Sequence, residues 1–183
     1  MPKLYGYAVK YSVHSRSHHE KILPGAFRGV LESSHDVKAL FNHNPSQLLG
    51  RRRSGTLLLN DDGKGLEYEL DLPATQLGND VYQLAKRGDL SGVSIGFRGR
   101  QSGYRRGKEG NEIESVALEE ISLIGGVEPS YPETTINTRT MGSWKNEFNA
   151  LLNDLEWRNV GGDVLILKQA KKSARRFACY GVS

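Results

Sequence analysis

The sequence predicts a mainly β domain with a few helices in residues 1–140, followed by a C-terminal appendage in residues 141–183. Two observations carry this prediction. Up to about Arg139, short runs of β-branched and aromatic residues alternate with turn-forming residues, as in a series of short strands. From Met141 onward the spacing of apolar residues becomes helical, and a basic stretch follows. A chain of 183 residues is long enough for one domain and a tail, and too short for two ordinary domains.

The predicted strands follow one another with turns between them. The clearest is 66–72, where leucine and tyrosine alternate with acidic residues as on a half-buried strand. The turn 61–65, with sequence DDGKG, joins it to the preceding strand in a hairpin. Pro45 is predicted to turn the chain just after His43. The predicted strands are 4–13, 36–42, 56–60, 66–72, 92–100 and 112–118, the last continuing through residue 124.

Two helices are predicted among these strands. Thr75 can cap a helix in which Leu77, Val81 and Leu84 share one face, and Gly88 can end it. A shorter helix is predicted after Pro24. Its apolar side consists of Phe27, Val30 and Leu31.

Ser94 stands out in the predicted strand 92–100. Val93, Ile95 and Phe97 alternate toward the core, so Ser94 lies on the opposite face. Its neighbours on that face are Gly92 and Gly96, which leave room for a substrate backbone. The two interpretations of Ser94 at this point are a nucleophile and an ordinary strand serine facing water.

Other residues could complete a serine hydrolase site, which needs a histidine base and a group that orients the imidazole. His43 lies where a strand gives way to a turn, a position that suits a general base, although a turn histidine bonded to its neighbours fits equally well. Glu119 and Glu120 are adjacent on a predicted strand, so their side chains point to opposite faces. Strand alternation alone leaves open which of them could reach a histidine.

Charge and cysteine usage restrict the function classes only partly. The net charge is +4, and ten of the 25 lysines and arginines fall into two clusters, at 98–108 and 168–176. Either cluster could bind nucleic acid or an acidic protein, or simply be solvated. The single cysteine, Cys179, cannot form an internal disulfide, and the N-terminus lacks the features of a signal peptide. These features, with no apolar stretch of membrane-spanning length, predict a cytosolic protein that does not bind membranes.

Two candidate metal sites are weak. The residues in the segment HSRSHHE, namely His14, His18, His19 and Glu20, could chelate a metal on a helix, but the segment is more typical of a polar loop. The turn Asp61-Asp62-Gly63 resembles a fragment of a calcium loop and lacks the remaining ligands. The sequence therefore predicts neither a metal nor a cofactor.

Five segments occur along the chain in the order EKILPGAF, ALFNHNPSQLLGR, DGKGLEYELDLP, GDLSGVSIGF and LEEISLIGGVEPSYP. Together they resemble the prohead maturation proteases of tailed bacteriophages, which are relatives of the herpesvirus assemblins, and the likeness spans residues 4–136. The resemblance implies an antiparallel β-barrel with surrounding helices and serine endopeptidase activity. It maps the histidine base to His43, the serine nucleophile to Ser94 and the third triad member to Glu120.

This chain departs from the family pattern in three places. Asn44 stands where an acidic residue usually follows the histidine, and Pro129-Ser130 replaces a common Pro-Ala pair. Assemblins carry paired arginines after the third triad position, which support the oxyanion, and this chain has Gly125 and Gly126 there. Backbone N–H groups of these two glycines are therefore the candidate oxyanion donors.

The resemblance also implies partners and a setting. The substrates would be the scaffolding protein or scaffolding domain, and the protease itself is a further candidate. The scaffolding protein and the major capsid protein would be its partners inside proheads assembling in the host cytoplasm. Assemblins act as dimers, so a homodimer is a further expectation. Two alternatives stay open: a catalytically inactive capsid assembly factor on the same fold, and a basic nucleic-acid-binding module.

The appendage is predicted to serve the partner rather than the chemistry. Trp144, Phe148 and Leu152 lie on one side of a predicted amphipathic helix, which ends near Gly161-Gly162. The cations of 168–176 follow it. An apolar stripe with a basic stretch is typical of a docking segment for an acidic scaffold or coat protein. The alternative is a helix that packs on the barrel.

Overall fold

The computed structural model describes residues 2–16, 18–99 and 103–139. They belong to the first of two units of the chain, Met1–Met141. The predicted C-terminal helix, the basic tail and Cys179 lie outside the described residues, so the domain division stays a prediction. The elements are β1 Lys3–Lys10, β2 Glu20–Ile22, α1 Arg28–Glu32, β3 Lys38–Phe41, β4 Asn44–Arg51, β5 Leu57–Asp61, β6 Gly65–Asp71, α2 Gln76–Arg87, β7 Leu90–Gly99, β8 Tyr104–Gly107, β9 Gly110–Ile113, β10 Val116–Gly125 and β11 Asn137–Arg139.

The strands form three sheets with the orders β11-β1-β6-β5, β4-β3-β10-β7 and β2-β9-β8. Neighbours are antiparallel except for the parallel pairs β3–β10 and β2–β9. The mainly β class with accompanying helices is therefore confirmed. The sheets of the described residues are not closed into a barrel by strand pairing, so barrel closure stays a prediction.

One apolar core lies between the two four-stranded sheets and the helices. The alternation predicted for 66–72 holds, because Leu66, Leu70 and Leu72 have no exposed surface and Tyr68 is 3% exposed. Side chains of β1, β7 and β10 join the same cluster. In the part of the chain that the structure describes, no helix is long and apolar enough to cross a bilayer.

Both predicted helices form, and their ends have the expected chemistry. The Thr75 side chain accepts a hydrogen bond from Gly78 N, which caps α2. Gly88 ends α2 with φ 82°, a left-handed conformation that glycine adopts without steric cost. The short α1 presents Val30 to the core.

The predicted turn at Pro45 is wrong. The chain reverses two residues earlier, and Pro45 lies within β4. Proline is tolerated there because β4 is an edge strand, so its missing N–H leaves no sheet partner unsatisfied.

The predicted strand from 112 to 124 is two strands, β9 and β10, separated at Glu114 and Ser115. Glu114 N instead donates to the Gly103 carbonyl. The first cationic cluster, 98–108, overlaps β8, which pairs with β9 as a hairpin. Arg105 on β8 contacts Glu112 on β9, so part of the first basic cluster is paired within this sheet.

Candidate active site

The candidate active site begins with the turn that joins β3 to β4. Phe41 pairs with Asn44, so only Asn42 and His43 form the loop. Both have left-handed backbones, with φ 51° and 56°, as a type I′ hairpin turn requires. Glycine usually takes the second position of this turn, so a histidine there is a costly choice that indicates a functional constraint.

Hydrogen bonds attach this turn to β10. Asn42 N donates to the Leu123 carbonyl at 3.0 Å. Asn42 Oδ1 accepts from Gly125 N at 2.9 Å, and His43 N donates to Ser122 Oγ at 3.2 Å. The backbone position of His43 is therefore set by a strand other than the two that it joins.

The His43 side chain contacts Glu120 on the same strand. Nδ1 lies 2.5 Å from Glu120 Oε1, and the Glu120 side chain is 15% exposed. The other carboxylate oxygen accepts a hydrogen bond from Ser122 Oγ. A carboxylate only accepts hydrogen bonds, so the proton of the neutral imidazole is on Nδ1 and the lone pair is on Nε2. That tautomer is the one a general base needs.

The two adjacent glutamates have different partners. The pairing of β10 with β7 shifts between Leu118 and Glu120, so Glu119 has no direct partner on β7. Its carboxylate lies 3.6 Å from His35 Nε2 and 3.6 Å from Arg98 Nε. Of these two glutamates only Glu120 contacts His43, which strand alternation alone does not predict.

Ser94 lies on β7, directly opposite Ser122 of β10. Directly paired residues point to the same face of a sheet, so Ser94 shares a face with Ser122 and, two residues along, with Glu120. Ser94 is 6% exposed. Its hydroxyl makes no hydrogen bond within the described part of the chain, so it is not committed to a structural partner there.

The glycines beside Ser94 do not leave the predicted room for a substrate backbone. A Cβ at Gly96 would lie 2.4 Å from Glu120 Oε1, so this space holds the Glu120 carboxylate. A Cβ at Gly92 would lie 2.4 Å from Thr134 Oγ1 and 3.0 Å from Pro129 Cγ. Each glycine makes room for another part of the protein.

The two predicted oxyanion donors differ in availability. The Gly125 N–H already donates to Asn42 Oδ1, so the expectation that it is free for an oxyanion is corrected. Gly126 follows β10 with φ 82°, and its N–H has no acceptor among residues 2–16, 18–99 and 103–139. Gly126 stays the candidate.

The residues of the two weak metal candidates have protein partners. His14 Nε2 lies 3.5 Å from Glu109 Oε2, and Glu20 accepts a hydrogen bond from Tyr131. Asp61 accepts from Tyr11 and Asp62 from Tyr7, each at 2.6 Å. The bond to Asp62 is the main cause that raises the pKa of Tyr7 to about 12. These contacts fasten the β5–β6 turn to β1.

Sequence reasoning missed Asn42 and Ser122. A signal for Asn42 was present, because asparagine is favoured at the first position of a type I′ turn. For Ser122 the signal was its place two residues after Glu120, which puts both on one face of a strand. Neither signal predicts which residue of another element Asn42 or Ser122 contacts.

The chain is similar to known proteins in sequence and in fold. A family model described as caudovirus prohead serine protease matches residues 1–147. Among solved structures, the chain is similar to the KSHV protease in complex with a hexapeptide phosphonate inhibitor, with a TM-score of 0.51 and 12% sequence identity. This match covers 78% of this chain and 67% of the KSHV chain, and at that identity it concerns the fold. No curated protein matches the chain in sequence.

Proposed function

Because the chain belongs to the caudovirus prohead serine protease family, we propose that Ser94, His43 and Glu120 form its catalytic triad. The observation that carries this proposal is the 2.5 Å contact between His43 Nδ1 and Glu120 Oε1. Glu120 lies on β10, and β7, the neighbouring strand of the same sheet, holds Ser94. The free hydroxyl of Ser94 and the free lone pair of His43 Nε2 are the two groups that would have to meet.

The chemistry is peptide hydrolysis through an acyl-enzyme. His43 Nε2 takes the proton of Ser94 Oγ as that oxygen attacks the scissile carbonyl carbon. The imidazolium then gives the proton to the leaving amine, and water releases the acyl group by the same steps. Glu120 stabilises the imidazolium and, by binding Nδ1, leaves the Nε2 lone pair to accept the proton. No cofactor takes part in these steps.

Gly126 N–H is the proposed oxyanion donor. The positive φ of Gly126 turns the chain at the end of β10, close in sequence to the segment that packs on Gly92. A backbone donor that has no partner among the described residues is available to stabilise charge on the carbonyl oxygen. Gly125 instead stabilises the turn that holds His43.

The proposed substrates are the scaffolding protein or scaffolding domain of the prohead and the protease itself, with the scaffolding and major capsid proteins as partners. The proposed setting is the assembling prohead in the host cytoplasm, and the proposed assembly is a homodimer. Family membership supports these assignments.

We also propose that the two four-stranded sheets are parts of one mostly antiparallel barrel. Hydrogen bonds connect the two sheets at two places. Val93 N donates to Thr134 Oγ1, and Thr135 N donates to the Tyr7 carbonyl, so residues 134–135 connect β7 with β1. On the other side Arg51 N, at the end of β4, donates to Thr56 Oγ1, just before β5.

Co-expression with the scaffolding protein tests the function. Mass spectrometry should find scaffold fragments with the wild-type chain, and none with Ser94→Ala, since loss of a triad nucleophile costs roughly 10⁶ in turnover. The matched control is Ser91→Ala, which removes an exposed hydroxyl from the same strand and should cleave normally. Cleavage by Ser94→Ala at the wild-type rate would remove Ser94 from the proposal.

A phosphonylating reagent separates the protease from its two alternatives. A fluorophosphonate labels an activated serine, so the wild-type chain should take one label at Ser94. An inactive assembly factor would take none. A nucleic-acid-binding module would show instead DNA binding that weakens steeply with salt.

A further inference from the structure

We propose that Ser122 is a positioning residue that fixes His43 and Glu120 relative to each other. This inference rests on the proposed triad and adds a residue to it. Among the described residues, Ser122 makes no hydrogen bond to Ser94 Oγ or to His43 Nε2. It acts through the two residues that do the proton chemistry.

The three residues form a closed ring of hydrogen bonds. His43 N donates to Ser122 Oγ at 3.2 Å. The Ser122 hydroxyl donates its proton to Glu120 Oε2. The other oxygen, Glu120 Oε1, lies 2.5 Å from His43 Nδ1. The ring thus begins at the backbone of His43 and ends at its side chain.

This ring fixes His43 at two points, its backbone N–H and its side-chain Nδ1, and both contacts come from β10. Glu120 and Ser122 are two residues apart on β10 and so point to the same face. Ser122 has no exposed surface, so water cannot replace its hydrogen bonds. If the hydroxyl is removed, one carboxylate oxygen loses its donor and the His43 N–H loses its acceptor. The carboxylate is then free to rotate, and the imidazole loses its fixed direction.

A buried serine that only satisfies the His43 N–H would be a stability element of the turn. That role predicts loss of folded protein, with no link to Glu120. A positioning role predicts a loss of reactivity that depends on the Glu120 carboxylate. The two roles are therefore separated by a measurement that couples positions 122 and 120.

The experiment measures how fast a fluorophosphonate labels Ser94 in the full chain, as the serine Oγ bonds to phosphorus and fluoride leaves, with maximal rate and half-saturating concentration determined separately. Ser122→Ala should lower the maximal rate by about 10- to 100-fold, the range for residues that orient a functional histidine, and leave half-saturation unchanged. If the alanine variant folds poorly, Ser122→Cys takes its place, because cysteine is nearly the same size as serine but only a weak hydrogen-bond donor. Its maximal labelling rate should also be lower than that of the wild type. The control is Ser15→Ala, which removes another buried hydroxyl and should label at the wild-type rate.

The coupling comes from Glu120→Gln with and without Ser122→Ala. In the Glu120→Gln background, Ser122→Ala should reduce the rate by less than about threefold, because the group it acts through is already impaired. Fully multiplicative losses overturn the positioning role, as does wild-type labelling by folded Ser122→Ala while Glu120→Gln is slow. If Glu120→Gln itself labels at the wild-type rate, the proposed triad fails and the inference fails with it.

Discussion

Gly96 is the residue that lets the Glu120 carboxylate reach His43. Its missing Cβ leaves the space in which Glu120 Oε1 lies, 2.4 Å from where that atom would be. Glu120 and Gly96 are direct partners across β10 and β7, so the conflict cannot be relieved by a turn of the strand. The glycine two residues after Ser94 therefore makes room for the third member of the proposed triad.

Gly96→Ala should consequently reduce activity while leaving the fold intact. The added methyl group has to displace the carboxylate from His43 Nδ1, so we expect a fall in peptide hydrolysis of about 10- to 100-fold. Gly29→Ala is the matched control, since a Cβ at that position in α1 meets nothing within 4 Å. Wild-type hydrolysis by a folded Gly96→Ala variant would show that the carboxylate has other room.

Residue patterns could predict which residues are candidates and could not predict which ones meet. The alternation of Val93, Ser94 and Ile95 predicted that Val93 and Ile95 join the apolar core and that Ser94 lies on the other face, where it pairs with Ser122. The choice between Glu119 and Glu120 depends on a shift in strand pairing, and the Glu120–His43 contact joins positions far apart in sequence. Such contacts arise from topology, which a local pattern does not encode.

At the scale of elements, the β3–β4 turn determines where the histidine lies. Its two residues have left-handed backbones, a conformation that costs an ordinary side chain about 1–2 kcal/mol per residue. Asparagine tolerates it best among non-glycine residues, and Asn42 also accepts the Gly125 N–H.

Two substitutions at Asn42 separate these contributions. Asn42→Gly removes the hydrogen bond and keeps the backbone conformation accessible, whereas Asn42→Ala loses both. We therefore expect the alanine variant to be less stable than the glycine variant by about 1 kcal/mol, as measured by urea unfolding. Equal stabilities would mean that the backbone conformation contributes nothing.

The opposite end of this hairpin is held by Asp36, and its contribution should depend on pH. The Arg53 N–H and the Arg51 side chain bind its carboxylate and hold the pKa of Asp36 below its ordinary value of 3.8. A lowered folded pKa stabilises the protein above pH 3.8, and this stabilisation is lost as the pH falls through the folded value.

Asp36→Asn should therefore lower the free energy of unfolding by about 1–3 kcal/mol at pH 7, and the difference from wild type should shrink below about pH 4. Asp80→Asn is the control. Among the described residues, its carboxylate accepts a hydrogen bond only from Gln76, one turn earlier in α2, a contact worth about 0.5 kcal/mol or less. If the difference in unfolding free energy between Asp36→Asn and wild type stays constant from about pH 7 to about pH 3, the effect of the substitution comes from shape and not from charge.

Strong local signals predicted whole elements, and weak ones did not. The β5–β6 hairpin and α2 were predictable because alternation, turn residues and caps agreed. The strand β4 was not predicted, because a proline in the local sequence indicates a turn. Proline is compatible with an edge strand, and β4 is one. The three-residue strands β2 and β11 have too few residues to show a period, and their partners come from distant parts of the chain.

At the scale of the whole molecule, one sheet assembles the site from segments far apart in the chain. The turn after β3 supplies His43, β7 supplies Ser94 and β10 supplies Glu120. The parallel pairing of β3 with β10 places the carboxyl end of β3 beside Leu123, so the following turn crosses over the face that carries Ser122. All of these residues lie within the family match, residues 1–147.

The C-terminal segment should thus be dispensable for hydrolysis and needed for entry into the prohead. A chain shortened to residues 1–141 keeps every strand of the described site, so we expect it to fold and to cleave a peptide substrate at the wild-type rate. It lacks the apolar stripe with Trp144 and the cations of 168–176, which are proposed to bind an acidic scaffold or coat partner. Proheads assembled with it should contain less protease than those assembled with the full chain, as measured by quantitative mass spectrometry. Normal packaging would refute the docking role, and an insoluble product would assign the segment to the core.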